Sequence, residues 1–284
     1  MMTMPEKFVI YTDLDGTLLD HVTYSFHPAL EALEQIREKK IPLIICTSKT
    51  RPEIEFYRKL LGNKEPFISE NGGGIFIPDG YFSRDFEYDK EIKGYKVIEL
   101  GTQEPVLYQV LKEISGETGI EIRSFRDMSA GEISEHTGLD EYTAELSRVR
   151  DYSEPYLVYG DESDAATIAR NINLKGYRHT KGGRFHHILG ENDKGKAVNI
   201  LSDMYSREIG EIKTVGLGDS LNDLPMLEAV DIPVLVQKQG GVYEREISLQ
   251  KLIYADGIGP LGWNSEILKI LMNYDDEEAN NNRN

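Results

Sequence analysis

Phe8-Val9-Ile10-Tyr11-Thr12 runs directly into Asp13-Leu14-Asp15-Gly16-Thr17-Leu18. The apolar run reads as a buried strand. The two carboxylates that follow it cannot be core residues, because an ionised carboxylate buried without a partner is costly. In extended chain, residues i and i+2 point the same way, so Asp13 and Asp15 face one spot at the strand's C-terminal edge. Gly16 frees the backbone to turn, and Thr17 supplies a short hydroxyl. Carboxylates crowded in this way suit a hard cation with oxygen ligands, such as Mg²⁺. A single Asp here reads as an Asx-type turn closing a strand; the full D-x-D-G-T-L string reads as a site.

Three further pieces follow in order. Pro42–Cys46 is a second short apolar run, and it ends in Thr47-Ser48-Lys49-Thr50-Arg51, which puts hydroxyls at a strand end. Gly190-Glu191-Asn192-Asp193-Lys194-Gly195 opens a helix and offers a lysine. Thr214-Val215-Gly216-Leu217-Gly218 leads into the acidic loop Asp219-Ser220-Leu221-Asn222-Asp223. Taken alone, that loop also reads as a helix N-terminus with capping and first-turn acids. Together the four pieces resemble the motifs of the haloacid dehalogenase-like phosphohydrolases.

That resemblance implies phosphate-monoester hydrolysis through an aspartyl-phosphate. Asp13 is then the nucleophile and Asp15 the general acid and base. Thr47, with Ser48 as runner-up, is the phosphate hydroxyl, and Lys194 neutralises Asp13 and a phosphoryl oxygen. Mg²⁺ is held by Asp13, by Asp15 through its backbone carbonyl, and by Asp219, with Asp223 ordering its waters. An acid at position 15 goes with phosphatases and phosphomutases, whereas ion-pumping ATPases of the superfamily have Thr there.

Composition narrows the class. At 284 residues, 39% hydrophobic and 29% charged, the chain can bury a sizeable core. A net charge of −17 argues against nucleic acid as a partner and against long-range steering of an anionic substrate. Local Lys and Arg, and a metal, must then receive any phosphate. No apolar run approaches the roughly 18 residues of a membrane span. The N-terminus shows no signal-peptide pattern, and Cys46 is the sole cysteine. These features point to the cytoplasm; oligomeric state is not set by sequence.

Alternating short apolar runs and helical patterns predict an α/β fold, a Rossmann-like doubly wound parallel sheet core with an inserted α/β cap. The core is expected over residues 1–82 and 188–274, the cap over 83–187, and a disordered acidic tail over 275–284. In open α/β sheets, ligands bind outside the carboxyl ends of the strands, where Asp13, Asp15, Thr47 and Asp219 all fall.

A closer resemblance lies in Thr47–Arg51, Ser69-Glu70-Asn71-Gly72-Gly73-Gly74-Ile75, Arg150-Asp151-Tyr152-Ser153-Glu154-Pro155 and Lys181-Gly182-Gly183-Arg184-Phe185. These stretches look like the mannosyl-3-phosphoglycerate phosphatases. They imply a small phosphorylated sugar-glycerate substrate, contacted by Lys49, Arg51, Glu70, Asn71, Gly72, Arg150, Ser153 and Arg184. A glycerate carboxylate calls for Arg, and sugar hydroxyls call for groups such as Glu70, Asn71, Ser153 and Glu154. A glucosyl ester, a broader range of sugar phosphates and a phosphosugar mutase remain alternatives. His186 and His187, adjacent in a strand, face opposite ways and make no zinc site.

Overall fold

A computed structural model describes residues 7–182 and 185–281. Along the first half of the chain the elements are β1 (Lys7–Thr12), α1 (Leu30–Glu38), β2 (Leu43–Cys46), α2 (Arg51–Leu61), β3 (Phe67–Ser69), β4 (Gly74–Pro78), β5 (Lys90–Ile92), β6 (Tyr95–Glu99), α3 (Glu104–Thr118), β7 (Glu121–Ser124), α4 (Ala130–Thr137) and α5 (Glu141–Ser147). There follow β8 (Ser153–Tyr159), α6 (Glu162–Leu174), β9 (Arg178–Gly182), β10 (Phe185–Leu189), α7 (Lys194–Ile209), β11 (Ile212–Gly218), α8 (Leu224–Ala229), β12 (Ile232–Gln237), β13 (Ile253–Ile258) and α9 (Pro260–Asn281).

The chain divides into two compact units, Met1–Thr47 with Gly80–Phe86 and Lys194–Asn284, and Ser48–Asp79 with Glu87–Asp193. In the first, five strands run in the order β13-β12-β11-β1-β2, and every pairing among them is parallel. β1 is buried from Phe8 to Thr12, and β11 and β12 are nearly so. Continuous burial is what a parallel strand covered on both faces requires. α1 packs with α9, and α7 with α8. From β1 the chain moves to β2 on one side, and it later returns through α7 to β11 on the other. β1 is therefore the point where the strand order reverses, and the crevice at its carboxyl end is where such sheets bind ligands.

The second unit holds the antiparallel run β3-β4-β6-β5 and a four-stranded sheet, β7-β8-β10-β9. Leu107, Val110, Leu111 and Ile114 of α3 and Ile168 and Ile172 of α6 pack with Tyr156 and Ile188 on one face of that sheet. Phe125, Met128, Ile133 and Ala144 gather around Phe185 in a second cluster. Helix α2 opens on a capping box closed by Thr50 and Glu53, and Gly62 ends the helix at φ 62°.

Three features differ from the sequence reading. Segment 48–79 belongs to the second unit, since α2 packs on α5 and Glu70 is bonded to residues 151–153. β13, with its glycine and aspartate, carries no period-two pattern and escapes detection in the sequence. Helix α9 continues to Asn281 rather than giving way to a disordered tail at 275. Propagating an existing helix costs far less than nucleating one, and Glu277, Glu278 and Ala279 are good helix formers. Residues 282–284 lie outside the described residues. None of the described helices is long and apolar enough to cross a membrane.

Glu154, on β8, is buried and accepts a hydrogen bond from the Arg126 N–H at 2.9 Å. Burial pushes its carboxyl up to about 7, more than that bond pulls it down, and Glu104 adds to the rise. The folded state therefore binds a proton that the unfolded chain has already released between pH 4.5 and 7. Stability from this group is full below that window and is lost as pH rises through it, by about 3 kcal/mol in all. Relative to Glu154→Gln, the wild-type protein should lose unfolding free energy between pH 5 and 8. Parallel denaturant curves at the two pH values check this; a constant difference between the proteins would refute it.

Candidate active site

The carboxyl end of β1 is tied down before any reactive group is considered. The Asp13 N–H donates to Leu217 O of β11 at 3.0 Å. The Thr12 hydroxyl donates to Asp13 O at 2.7 Å and accepts from Trp263 Nε1 at 3.0 Å. Beyond Asp13 the chain folds on itself, with Leu19 N–H donating to Leu14 O at 2.8 Å and Gly16 N–H to Leu19 O at 2.9 Å. Leu14, Leu18 and Leu19 are buried, so three apolar anchors hold this loop.

Lys194, the first residue of α7, is fully buried. An ammonium at a helix N-terminus is disfavoured by the dipole, and desolvation is a larger penalty. It is accommodated because two carboxylates meet it: Asp13 Oδ1 at 2.7 Å and Asp223 Oδ1 at 2.5 Å. Burial alone would lower the lysine's pKa, but Asp13 and Asp223 outweigh it and the ammonium persists. The other oxygen of Asp223 accepts the N–H groups of Asp219 and Ser220, both at 3.0 Å. Asp223 thus has both oxygens engaged. A Cβ on Gly218 would sit 2.4 Å from the Cβ of Asp223, so only glycine lets the strand end and the acid approach this closely.

Asp13, Asp219 and Asp223 each place a carboxylate oxygen within 4.8 Å of the others. Burial, with like-charge repulsion from Asp223, pushes the carboxyls of Asp13 and Asp219 up, to about 7 and about 6. One lysine does not balance this set. Hard oxygen donors in charge excess fit a divalent cation of the Mg²⁺ type, and Asp13 and Asp219 are the two whose oxygens remain to receive it. The Thr17 hydroxyl reaches Asp219 Oδ1 at 3.4 Å. The Asp15 carboxylate is half-buried and stands outside the triad. The Thr47 hydroxyl is buried at the end of β2 and has no hydrogen-bond partner among the described residues. That is an orphaned buried donor at the strand edge; the backbone carbonyl of Ser48, next in the chain, accepts from Arg150.

The remaining sequence-predicted residues lie in the second unit. Lys49, just before α2, pairs with Glu53 at 3.3 Å, and Arg51 pairs with Glu55 one turn along α2 at 2.9 Å. Each cation thus has a carboxylate four residues on, while Arg51 Nε is buried with no hydrogen-bond partner among the described residues. Glu70 is fully buried, and its carboxylate is occupied by donors from 151–153. Burial raises its pKa against the pull of Arg150. It is not an open acceptor for sugar hydroxyls, and Glu154 is likewise withdrawn into the fold. Asn71 and Gly72 continue a left-handed turn from Glu70. Asn192 donates to the carbonyls of both Glu70 and Asn71; sequence reasoning missed it, although it lies in the Lys194 motif. Arg150 has no carboxylate within ion-pair distance among the described residues and bonds only Ser147 O, Ser48 O and Ser153 Oγ. Arg184 lies outside the described residues. His186 stacks on His179, with their ring nitrogens 2.8 Å apart, and no histidine joins a group of three metal ligands among the described residues.

A family described as haloacid dehalogenase-like hydrolase matches residues 10–239. The chain is 50% identical over 265 residues to a glucosyl-3-phosphoglycerate/mannosyl-3-phosphoglycerate phosphatase of Methanococcoides burtonii, covering 93% of this chain and 97% of the relative. It is 37% identical over 229 residues to the mannosyl-3-phosphoglycerate phosphatase of Pyrococcus furiosus, with 80% and 90% covered. Among solved structures, a Thermoplasma acidophilum protein aligns with a TM-score of 0.66 at 19% identity over 96% of this chain and 99% of the other. At that identity the likeness carries the fold alone.

The contact between Gly218 and Asp223 can be tested directly. Gly218→Ala should displace Asp223 and release Lys194 from one of its two partners, lowering kcat about 100-fold, as misplacement near 1 Å does. Phosphate-release kinetics and a thermal melt on the same preparation check this; a folded variant with unchanged kcat would refute it.

Proposed function

Since this chain belongs to the haloacid dehalogenase-like hydrolases, we propose that it is a cytoplasmic, Mg²⁺-dependent phosphatase. It hydrolyses 2-O-(α-mannosyl)-3-phosphoglycerate to mannosylglycerate and phosphate, and takes the glucosyl ester as a second substrate. The observation that carries the reading is the buried Lys194 ammonium held between Asp13 and Asp223 at the end of β1. The substrate is drawn from the 50% identical relative named for both esters and from an arginine, Arg150, whose guanidinium has no carboxylate within ion-pair distance among the described residues.

Lys194 holds one oxygen of Asp13, which orients the carboxylate and leaves the other oxygen to attack phosphorus in line. The bond from phosphorus to the glycerate oxygen breaks, and Asp15 protonates the leaving alkoxide. Asp15 then takes a proton from the water that attacks the aspartyl-phosphate, and phosphate leaves as Asp13 is regenerated. Lys194 and the Thr47 hydroxyl stabilise charge on the phosphoryl oxygens. Asp13, Asp219 and the Asp15 carbonyl would hold Mg²⁺, which would supply charge neutralisation between the anionic nucleophile and the anionic ester. We assign the glycerate carboxylate to Arg150.

Phosphate release from synthetic mannosyl- and glucosyl-3-phosphoglycerate is the test. Turnover of both should vanish on chelation and return with Mg²⁺. Asp13→Asn should lower kcat at least about 10⁴-fold, as loss of a nucleophile does, and Asp15→Asn about 10²- to 10⁴-fold. Equal kcat/KM across unrelated sugar phosphates would replace the assignment with a broader phosphatase. Isomerisation of mannose 1-phosphate without free phosphate would make it a mutase.

A further inference from the structure

Glu70, Asn71 and Gly72 take left-handed dihedrals in succession, at φ 48, 56 and 84°. Glycine adopts this region freely, but two consecutive L-residues there are strained and persist only where their surroundings over-determine them. Here they do. The Glu70 N–H donates to Lys49 O at 3.1 Å, and Asn192 Nδ2 binds the carbonyls of Glu70 and Asn71 at 3.3 and 3.2 Å.

The strain turns the Glu70 carboxylate inward onto one segment. It accepts from the N–H of Asp151 at 2.8 Å, from the N–H of Tyr152 at 3.0 Å and from the Ser153 hydroxyl at 2.7 Å. Tyr152 lies so close to Gly73 and Gly74 that a Cβ on the first would sit 2.4 Å from the tyrosine Cβ and one on the second 2.6 Å from its ring. The Ser153 oxygen in turn accepts from Arg150 Nη1 at 3.2 Å. Ser147 O and Ser48 O take the Arg150 Nε and a second bond from Nη1. The two N–H groups of Nη2 have no acceptor among the described residues. Glu70 thus compensates the guanidinium at one hydroxyl's remove. A direct ion pair would have covered the edge that a carboxylate ligand needs.

We propose that Glu70 is a positioning residue for carboxylate recognition, presetting Arg150 and Ser153 without itself touching substrate. The inference rests on the assignment of Arg150 to the glycerate carboxylate. Glutamine at position 70 keeps the shape, but it offers N–H groups where at least one of the three donors needs an acceptor.

Binding of 3-phosphoglycerate and of glycerol 3-phosphate, which differ by the carboxylate, separates this role from a structural one. Calorimetric titration in the Asp13→Asn background prevents turnover. That protein should prefer 3-phosphoglycerate, and adding Glu70→Gln should shrink the preference about tenfold, the range of one charge-assisted bond. Ser153→Ala should shift it in the same direction and decides alone if Glu70→Gln does not fold. An unchanged ratio in the variants, or equal or undetectable binding of both compounds by the Asp13→Asn protein, overturns the proposal. Turnover of the mannosyl ester is read in the separate phosphate-release assay, so the two readings fail independently.

Discussion

A lysine ammonium with no solvent contact organises the first unit. Lys194 is stable where it is only because Asp13 and Asp223 both touch it, and removing either partner would leave a buried charge unbalanced. Asp223 can reach it only because Gly218 has no side chain. Asp13 can reach it only because β1 lies between β2 and β11 with its carboxyl end open. The reactive geometry and the local stability therefore share the same contacts.

The charge balance around that lysine has a consequence for chemistry. Three carboxylates sit within 4.8 Å of each other, with burial raising two of them. Such a cluster stores electrostatic repulsion that a divalent cation relieves. Overall acidity, at −17, does nothing to attract a phosphate ester, so recognition must be local. In the second unit Lys49 and Arg51 each have a carboxylate four residues on, whereas Arg150 has none within ion-pair distance among the described residues.

The legibility of the molecule in its sequence was uneven. The strand-to-loop transition at Thr12–Asp13 and the acidic loop at Asp219 depend on neighbours in the chain, and both are visible there. Glu70 is the opposite case. In the sequence it is a polar residue in a glycine-rich turn, available to a sugar; in the fold its oxygens are occupied by residues some eighty positions away. Asn192 stood within a motif already noticed, yet its role depends on the carbonyls of Glu70 and Asn71. The tail past residue 275 reads as solvated by composition, whereas α9 continues to Asn281 because helix growth is cooperative.

Sequence alone determined the parallel α/β class, the residues that end its strands and the chemical types gathered there, because periodicity, capping and turn chemistry act over a few residues. Tertiary structure decided which charges are spent and which remain. Lys49, Arg51, Lys194 and Arg150 are all cations in the sequence, but only folding pairs the first two with Glu53 and Glu55, buries the third between two acids and leaves the fourth with no carboxylate at ion-pair distance among the described residues. The physical reason is that ionic interactions depend on distance and desolvation, and neither is defined until distant segments meet.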